Sequence, residues 1–92
     1  MNHYYAKLFS VAGESRWNVI QVNGDSASHY IFPMNYDLHQ DTPAVMTVIV
    51  TVGRIEEDED GLWYTDGEDY EFISDWEKHD GNLIEKEEGT HG

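Results

Sequence analysis

The chain contains no cysteine, which excludes disulfide bridges and thiolate chemistry. Basic residues are also scarce: five Lys and Arg stand against nineteen Asp and Glu, for a formal charge of −14. That balance argues against direct binding to nucleic acid or to an anionic membrane surface, both of which repel a polyanion. Long hydrophobic runs are missing as well. The longest apolar-rich stretch, residues 44–52, is broken by Thr47 and Thr51 and is too short to span a bilayer as a helix. Residues 1–9 show no basic segment followed by an apolar run, so no secretory signal is expected. The expectation is a soluble protein of a reducing cytoplasm.

The residues of catalysis are present but not arranged. His3, His29, His39, His79 and His91 are scattered, without the i, i+4 spacing of a helical zinc pair. His29, beside Tyr30, reads as a strand residue. Ser10, Ser15, Ser26, Ser28 and Ser74 lack a nucleophile-elbow context, and there is no glycine-rich phosphate loop. Hydrolysis by paired carboxylates needs one acid with a raised pKa in an apolar pocket. With so many acids, abundance alone selects none. The chain is therefore read as a non-enzyme, with no cofactor and no metal.

Ninety-two residues make one small domain, 1–92. Three Trp, six Tyr and three Phe supply enough ring surface for a compact core despite the charge. The punctuation is that of β-hairpins: Asn23-Gly24, Asp60-Gly61, Asp66-Gly67 and Asp80-Gly81 each suit a turn with positive φ. Between them lie runs of Val, Ile, Thr, Tyr, Phe and Trp. Residues 4–11 read as a first strand, 17–22 as its return after a turn at 13–15, and 29–32 as a short third strand closed by Pro33.

Residues 34–43 read as a loop with a helical turn near 36–39. Residues 44–55 are the strongest strand pattern. Ala44, Met46, Val48, Val50 and Val52 alternate on one face, which predicts a central strand, and Gly53 predicts a bulge or bend. Residues 62–65 pair back across an acidic tip. Residues 69–78 fit both a strand and a helix. With period two, Tyr70, Phe72 and Trp76 share a face, with Ser74 and Ile73 out of pattern. With helical period, Phe72, Ile73 and Trp76 form the face. Leu83 and Ile84 could close a last hairpin, and 85–92 should fray. The fold class is mainly β: a small antiparallel sheet or open barrel built from hairpins, with at most one short helix.

The charge is lopsided. Residues 1–55 hold Glu14, Asp25, Asp37 and Asp41 against Lys7, Arg16 and Arg54. Residues 56–92 hold fifteen acids against Lys78 and Lys86. Solubility of a small domain needs a net charge of only about 2–8 in magnitude, and crowding like charges destabilises the compact state. A basic partner surface would account for the excess. The candidate contact residues are the tip Glu56, Glu57, Asp58, Glu59 and Asp60, then Asp66, Glu68, Asp69, Glu71, Asp75 and Glu77. Trp63 and Trp76, where exposed, are candidate apolar anchors. Arg16 and Arg54 are expected to pair with nearby acids. Same-face residues on a strand recur every 6.6–6.8 Å or so, and nucleic acid carries one charge per about 3.4 Å of axis per strand. Alternate carboxylates on a strand could thus offer a row that Lys and Arg grip as they grip phosphate.

In size, charge and its mixture of acids and aromatics over residues 56–80, the chain resembles the small acidic nucleic-acid mimics and phage-type inhibitors of host defence, such as anti-restriction and anti-CRISPR proteins. The resemblance carries no family motif and no contact residues. It implies a protein partner that handles DNA or RNA, a nuclease or a CRISPR-type complex in the cytoplasm of a bacterial host, blocked at its basic nucleic-acid channel.

Alternative readings remain. Acid clusters are usually solvated surface, and an acidic loop can simply prevent strand edges from pairing. Uniform halophilic acidity would spread the acids along the chain, which they are not. Glu56, Asp58, Asp60 and Gly61 approach the start of an EF-hand loop. Its twelfth position falls on Gly67, where a bidentate Glu is needed, so a specific calcium site is not expected, while loose divalent binding stays open. An immunity-type protein that neutralises a basic toxin would use the same physics. Trp63, Tyr64, Tyr70 and Trp76 among acids would also suit a small β-barrel reader of a cationic peptide, although core packing is the plainer account of those rings. A homodimer through exposed sheet edges is compatible with the sequence.

Overall fold

The computed structural model describes residues 2–35 and 49–81. The expected helical turn at 36–39, the 44–48 part of the fourth strand, the 83–84 return and the 85–92 tail lie outside the described residues. Seven strands form one antiparallel sheet: β1 (His3–Val11), β2 (Glu14–Asn23), β3 (Ser26–Pro33), β4 (Ile49–Asp58), β5 (Gly61–Thr65), β6 (Tyr70–Phe72) and β7 (Glu77–Asp80). The order is β6-β5-β4-β3-β2-β1-β7. There is no helix among the described residues.

The first hairpin turns on two residues with positive φ, Ala12 at 54° and Gly13 at 84°. These are the mirror-image turn angles that match strand twist. Val11 therefore faces Glu14, and β2 begins three residues earlier than the apolar pattern of 17–22 indicates. Gly24 supplies positive φ for the β2–β3 turn, where Asn23 faces Ser26.

Gly53 sits at a corner. Residues of β4 up to Gly53 pair with β3, and those from Arg54 onward pair with β5. A Cβ at this position would run into the Thr65 carbonyl oxygen, so only glycine lets the two backbones approach. The expected apolar face of this strand is corrected here. Val50 and Val52 are 44% and 62% exposed, although both lie in the stretch of β4 that runs beside β3. Val50 is also the extra residue of a bulge opposite His29 and Tyr30.

The edges of the sheet determine its shape. β6 and β7 lie at opposite ends of the strand order, yet only residues 73–76 join them. A flat seven-stranded sheet would separate its outer strands by about 29 Å, at roughly 4.8 Å per neighbour. Five Cα steps reach at most about 18 Å. The sheet must curl, and the link crosses its inner face. Ile73 and Trp76 are buried there with Tyr5, Ile20, Val22, Ala27 and Tyr64. The Ile73 N–H donates to the Leu62 carbonyl at 3.0 Å and the Leu62 N–H to Ser74 Oγ at 2.6 Å. Lys7 Nζ meets Asp75 Oδ2 at 3.3 Å, and the Phe9 and Trp76 rings meet edge to face at 5.6 Å. A second cluster, Tyr4, Ala6, Val19, Tyr30 and Phe32, lies on the opposite face.

Residues 69–78 thus resolve into a three-residue strand, a tight inward turn and the start of β7. The period-two pattern holds for Tyr70–Phe72 and fails where Ile73 leaves the strand for the core.

Ile73→Ala should lower unfolding free energy in urea by about 2–5 kcal/mol, the usual cost of emptying a buried site. That is a large share of the roughly 5–15 kcal/mol of a typical domain. Gly53→Ala should cost on the order of 2 kcal/mol by forcing the corner open. Near-native midpoints for both would refute the closure argument.

Candidate functional site: the acidic lobe and its inner pocket

The second half of β4, with β5 and β6, forms a three-stranded lobe beyond the Gly53 corner. Its side chains alternate between faces, and the register assigns them. Ile55, Tyr64 and Glu71 lie abreast, as do Glu57 and Leu62. Tyr64 belongs to the inner core, so Glu57 and Glu71 are on the inner side. Glu56, Trp63 and Phe72 lie abreast on the outer side, where the Trp63 and Phe72 rings meet at 4.9 Å.

The sequence-predicted acids therefore do not make one row. Glu56 is outward and paired with Arg54 at 2.6 Å. Glu57 is inward, and its charge, after burial, helps raise the Tyr5 hydroxyl above its ordinary 10.0. Asp58 Oδ1 accepts from the Trp63 indole N–H at 3.1 Å and from the Asp60 and Gly61 backbone N–H groups at 2.9 and 3.2 Å. Those bonds, the indole first, hold its carboxyl below 3.8. Glu59 and Asp60 are exposed at the hairpin tip.

Asp66 organises the β5–β6 turn in the same way. Its Oδ1 accepts from the Glu68 and Asp69 N–H groups, both at 2.9 Å, which lowers its pKa, with a smaller contribution from His29. Glu68 and Asp69 are exposed in that turn. Asp75 lies on the link with Lys7. Glu77 lies on β7 at the far edge, 3.5 Å from His79 Nε2. Asp75 and Glu77 thus stand apart from the lobe.

Of the two candidate anchors, Trp63 is half-buried on the outer face of the lobe, where a shallow cavity of about 250 Å³ is lined by Glu56, Glu57, Asp58, Trp63 and Tyr70. Trp76 is corrected: it is 6% exposed and plugs the inner core, so it offers no surface to a partner. Nor do the four rings of the cage reading converge, since Trp63 is outward and Trp76 is core. Arg16 pairs with Glu14 at 2.9 Å, as expected of it.

A different set of residues does converge. On the inner side, a cavity of about 270 Å³ is lined by Ile20, His29, Thr51, Tyr64, Tyr70 and Val50, with Asp66, Asp69 and Glu71 around it. Ile20, His29 and Thr51 are abreast on three neighbouring strands. The Thr51 and Tyr64 hydroxyls are bonded at 2.8 Å. His29 Nε2 lies 3.4 Å from Asn18 Oδ1, and its ring centre is 5.9 Å from that of Tyr64. Burial lowers the His29 pKa from 6.5, partly offset by Asp66. His29 lies in a strand, as its sequence context predicts, and its neighbourhood comes from the strand register, which has no local signature in the sequence. Among the described residues no group of three His, Asp or Glu is placed to hold a metal ion. No known protein family, curated protein or solved structure matches the chain.

Acid should weaken the fold in two stages. His29 is neutral in the fold below the pH at which the unfolded chain protonates it, so stability falls as pH drops through about 6.5 toward the lowered folded value. His29→Gln should flatten that part of the curve between pH 7.5 and 5.5 in urea titrations. Asp58 and Asp66 contribute stability above about 3.8–3.9 that is lost as pH falls through their lowered values. An unchanged slope in the His29 variant would contradict the desolvation argument.

Proposed function

We propose that this protein is an acidic inhibitor that enters the basic nucleic-acid channel of a nuclease or CRISPR-type complex and competes with nucleic acid for it. The observation that carries this reading is the concentration of charge in one lobe. Residues 49–72 hold nine carboxylates against Arg54 alone. These acids occupy the inner side (Glu57, Glu71), the outer side (Glu56, Asp58), the hairpin tip (Glu59, Asp60) and the adjoining turn (Asp66, Glu68, Asp69).

A charge distribution of this kind fits a cleft better than a flat surface. A channel that surrounds a nucleic acid presents cations from more than one wall, and a wedge that is acidic on both faces meets them all. The alternation of faces along β4 replaces the single-strand row with this wedge. The tip is held by Asp58 and the turn by Asp66 through their own backbone N–H groups, which reduces the ordering cost on binding. Complementary fields steer such an encounter and make it salt-dependent.

The test is competition with labelled DNA or RNA on purified nucleases and CRISPR-type effector complexes. Inhibition should raise the apparent Kd for nucleic acid without altering turnover of bound substrate. The association rate should fall about tenfold or more from low to high salt. Glu57→Lys, Glu59→Lys and Asp60→Lys together should abolish inhibition and leave the fold intact, because Asp58, which shapes the tip, is spared. Full inhibition by that triple variant would refute the reading.

A further inference from the structure

We propose that the inner cavity between β3, β4, β5 and β6 is a receptor for a single arginine side chain of a protein partner. This deepens the reading above, since it names the group that the acidic lobe would grip, but it stands on separate observations.

The first observation is size. A cavity of about 270 Å³ lies just below the 300–1,000 Å³ or so of pockets that take whole drug-sized ligands. It suits one side chain. The second is the lining. Ile20 and Tyr64 are buried, at 1% and 5% exposure, while Tyr70, on the outer side with Trp63 and Phe72 by register, reaches the cavity only from the β6 edge. Aromatic faces attract cations. The Thr51 and Tyr64 hydroxyls bond to each other, yet a hydroxyl oxygen has two lone pairs, so acceptor capacity remains for N–H donors. The third is the charge around the pocket. Asp66, Asp69 and Glu71 all line it, and Asp66 is locked in orientation by its two backbone bonds.

The remaining features select among cations. A neutral His29, its proton affinity lowered by burial, places no competing charge in the cavity at neutral pH. A planar guanidinium can stack on a tyrosine ring while its edge meets carboxylates in a bidentate fork, which a lysine ammonium cannot do. The Val50 bulge opposite His29 and Tyr30 breaks the ladder beside the cavity, a common device next to binding sites.

The test uses the intact protein and N-acetyl-arginine amide, with N-acetyl-lysine amide and the uncharged N-acetyl-citrulline amide as comparisons. Amide NMR titration should show saturable shifts confined to His29, Thr51, Tyr64 and the 66–71 turn. Arginine should bind more tightly than lysine, and citrulline should not bind measurably. Asp69→Asn with Glu71→Gln should weaken arginine binding roughly tenfold or more, as loss of charge-assisted bonds does. The triple tip substitution Glu57→Lys, Glu59→Lys and Asp60→Lys should change it only severalfold.

Equal shifts with arginine and citrulline would overturn the proposal. So would shifts centred on Glu59 and Asp60, or binding indifferent to the Asp69 and Glu71 changes. Because no partner is needed, arginine binding in a protein that fails to inhibit any nuclease would leave the pocket assignment standing and sink only the inhibitor reading. Inhibition without arginine binding would do the reverse.

Discussion

A four-residue tether holds this sheet in its curled form. β6 and β7 are the outermost strands, and residues 73–76 are too few to reach around a flat sheet. Curling brings the edges within reach, and the tether then has one place to go, the inner face. Burial rewards that route, because Ile73 is fully buried and Trp76 nearly so, each side chain worth about 1.5–3 kcal/mol of transfer free energy. Bonds fix its register at both ends: Ser74 and Ile73 to Leu62 on β5, Asp75 to Lys7 on β1. The inner cavity follows from the same curl, since Ile20 and Tyr64 face each other across it only when β2 and β5 are bent toward one another.

The charge acts against that closure, and the molecule manages part of it locally. Asp58 and Asp66 spend their carboxylates on backbone N–H groups and an indole, which stabilises their charged forms and shapes two turns. Glu56, Asp75 and Glu14 each have a cationic neighbour, although exposed pairs of this kind contribute only about 0–1 kcal/mol. Glu57, Glu59, Asp60, Glu68, Asp69 and Glu71 enter no ion pair among the described residues. Within the lobe, the unneutralised acids are thus those of the tip, the β5–β6 turn and the pocket rim.

Much of the fold was legible because its signals are local. Asn23-Gly24, Asp60-Gly61 and Asp66-Gly67 all fall at turns, and Gly53 marks the bend it suggested. The third strand runs over Ser26–Pro33, longer than the 29–32 its pattern predicts, because Ser26, Ala27 and Ser28 carry little β-propensity and pair with β2 through the tight turn before them. Residues 69–78 were ambiguous because no single element spans them. The out-of-pattern pair, Ile73 and Ser74, was the signal: one turns into the core and the other bonds to the neighbouring strand. The pairing of β7 with β1 has no local signature, as it joins segments about seventy residues apart. Nor has the pocket, since His29, Thr51 and Tyr64 come from three strands and meet only through register.

The alternation that spoiled a single acidic row has a consequence for recognition. A row on one face can be read by one basic surface, and many basic surfaces would suffice. Charge on the inner side, the tip and the adjoining turn of a thin lobe would suit the cleft proposed above better than a flat surface, and shape would then add to the selectivity that charge alone lacks. Long-range attraction accelerates encounter but discriminates weakly among cationic partners. A recessed site for one guanidinium would supply what the field cannot, a fixed point that sets the orientation of the lobe within the cleft. The tip lies beyond Gly53, and the pocket spans the corner from Ile20, His29 and Thr51 to Tyr64 and Glu71, so a partner that engaged both would meet a unit whose geometry the corner glycine and the tether hold together.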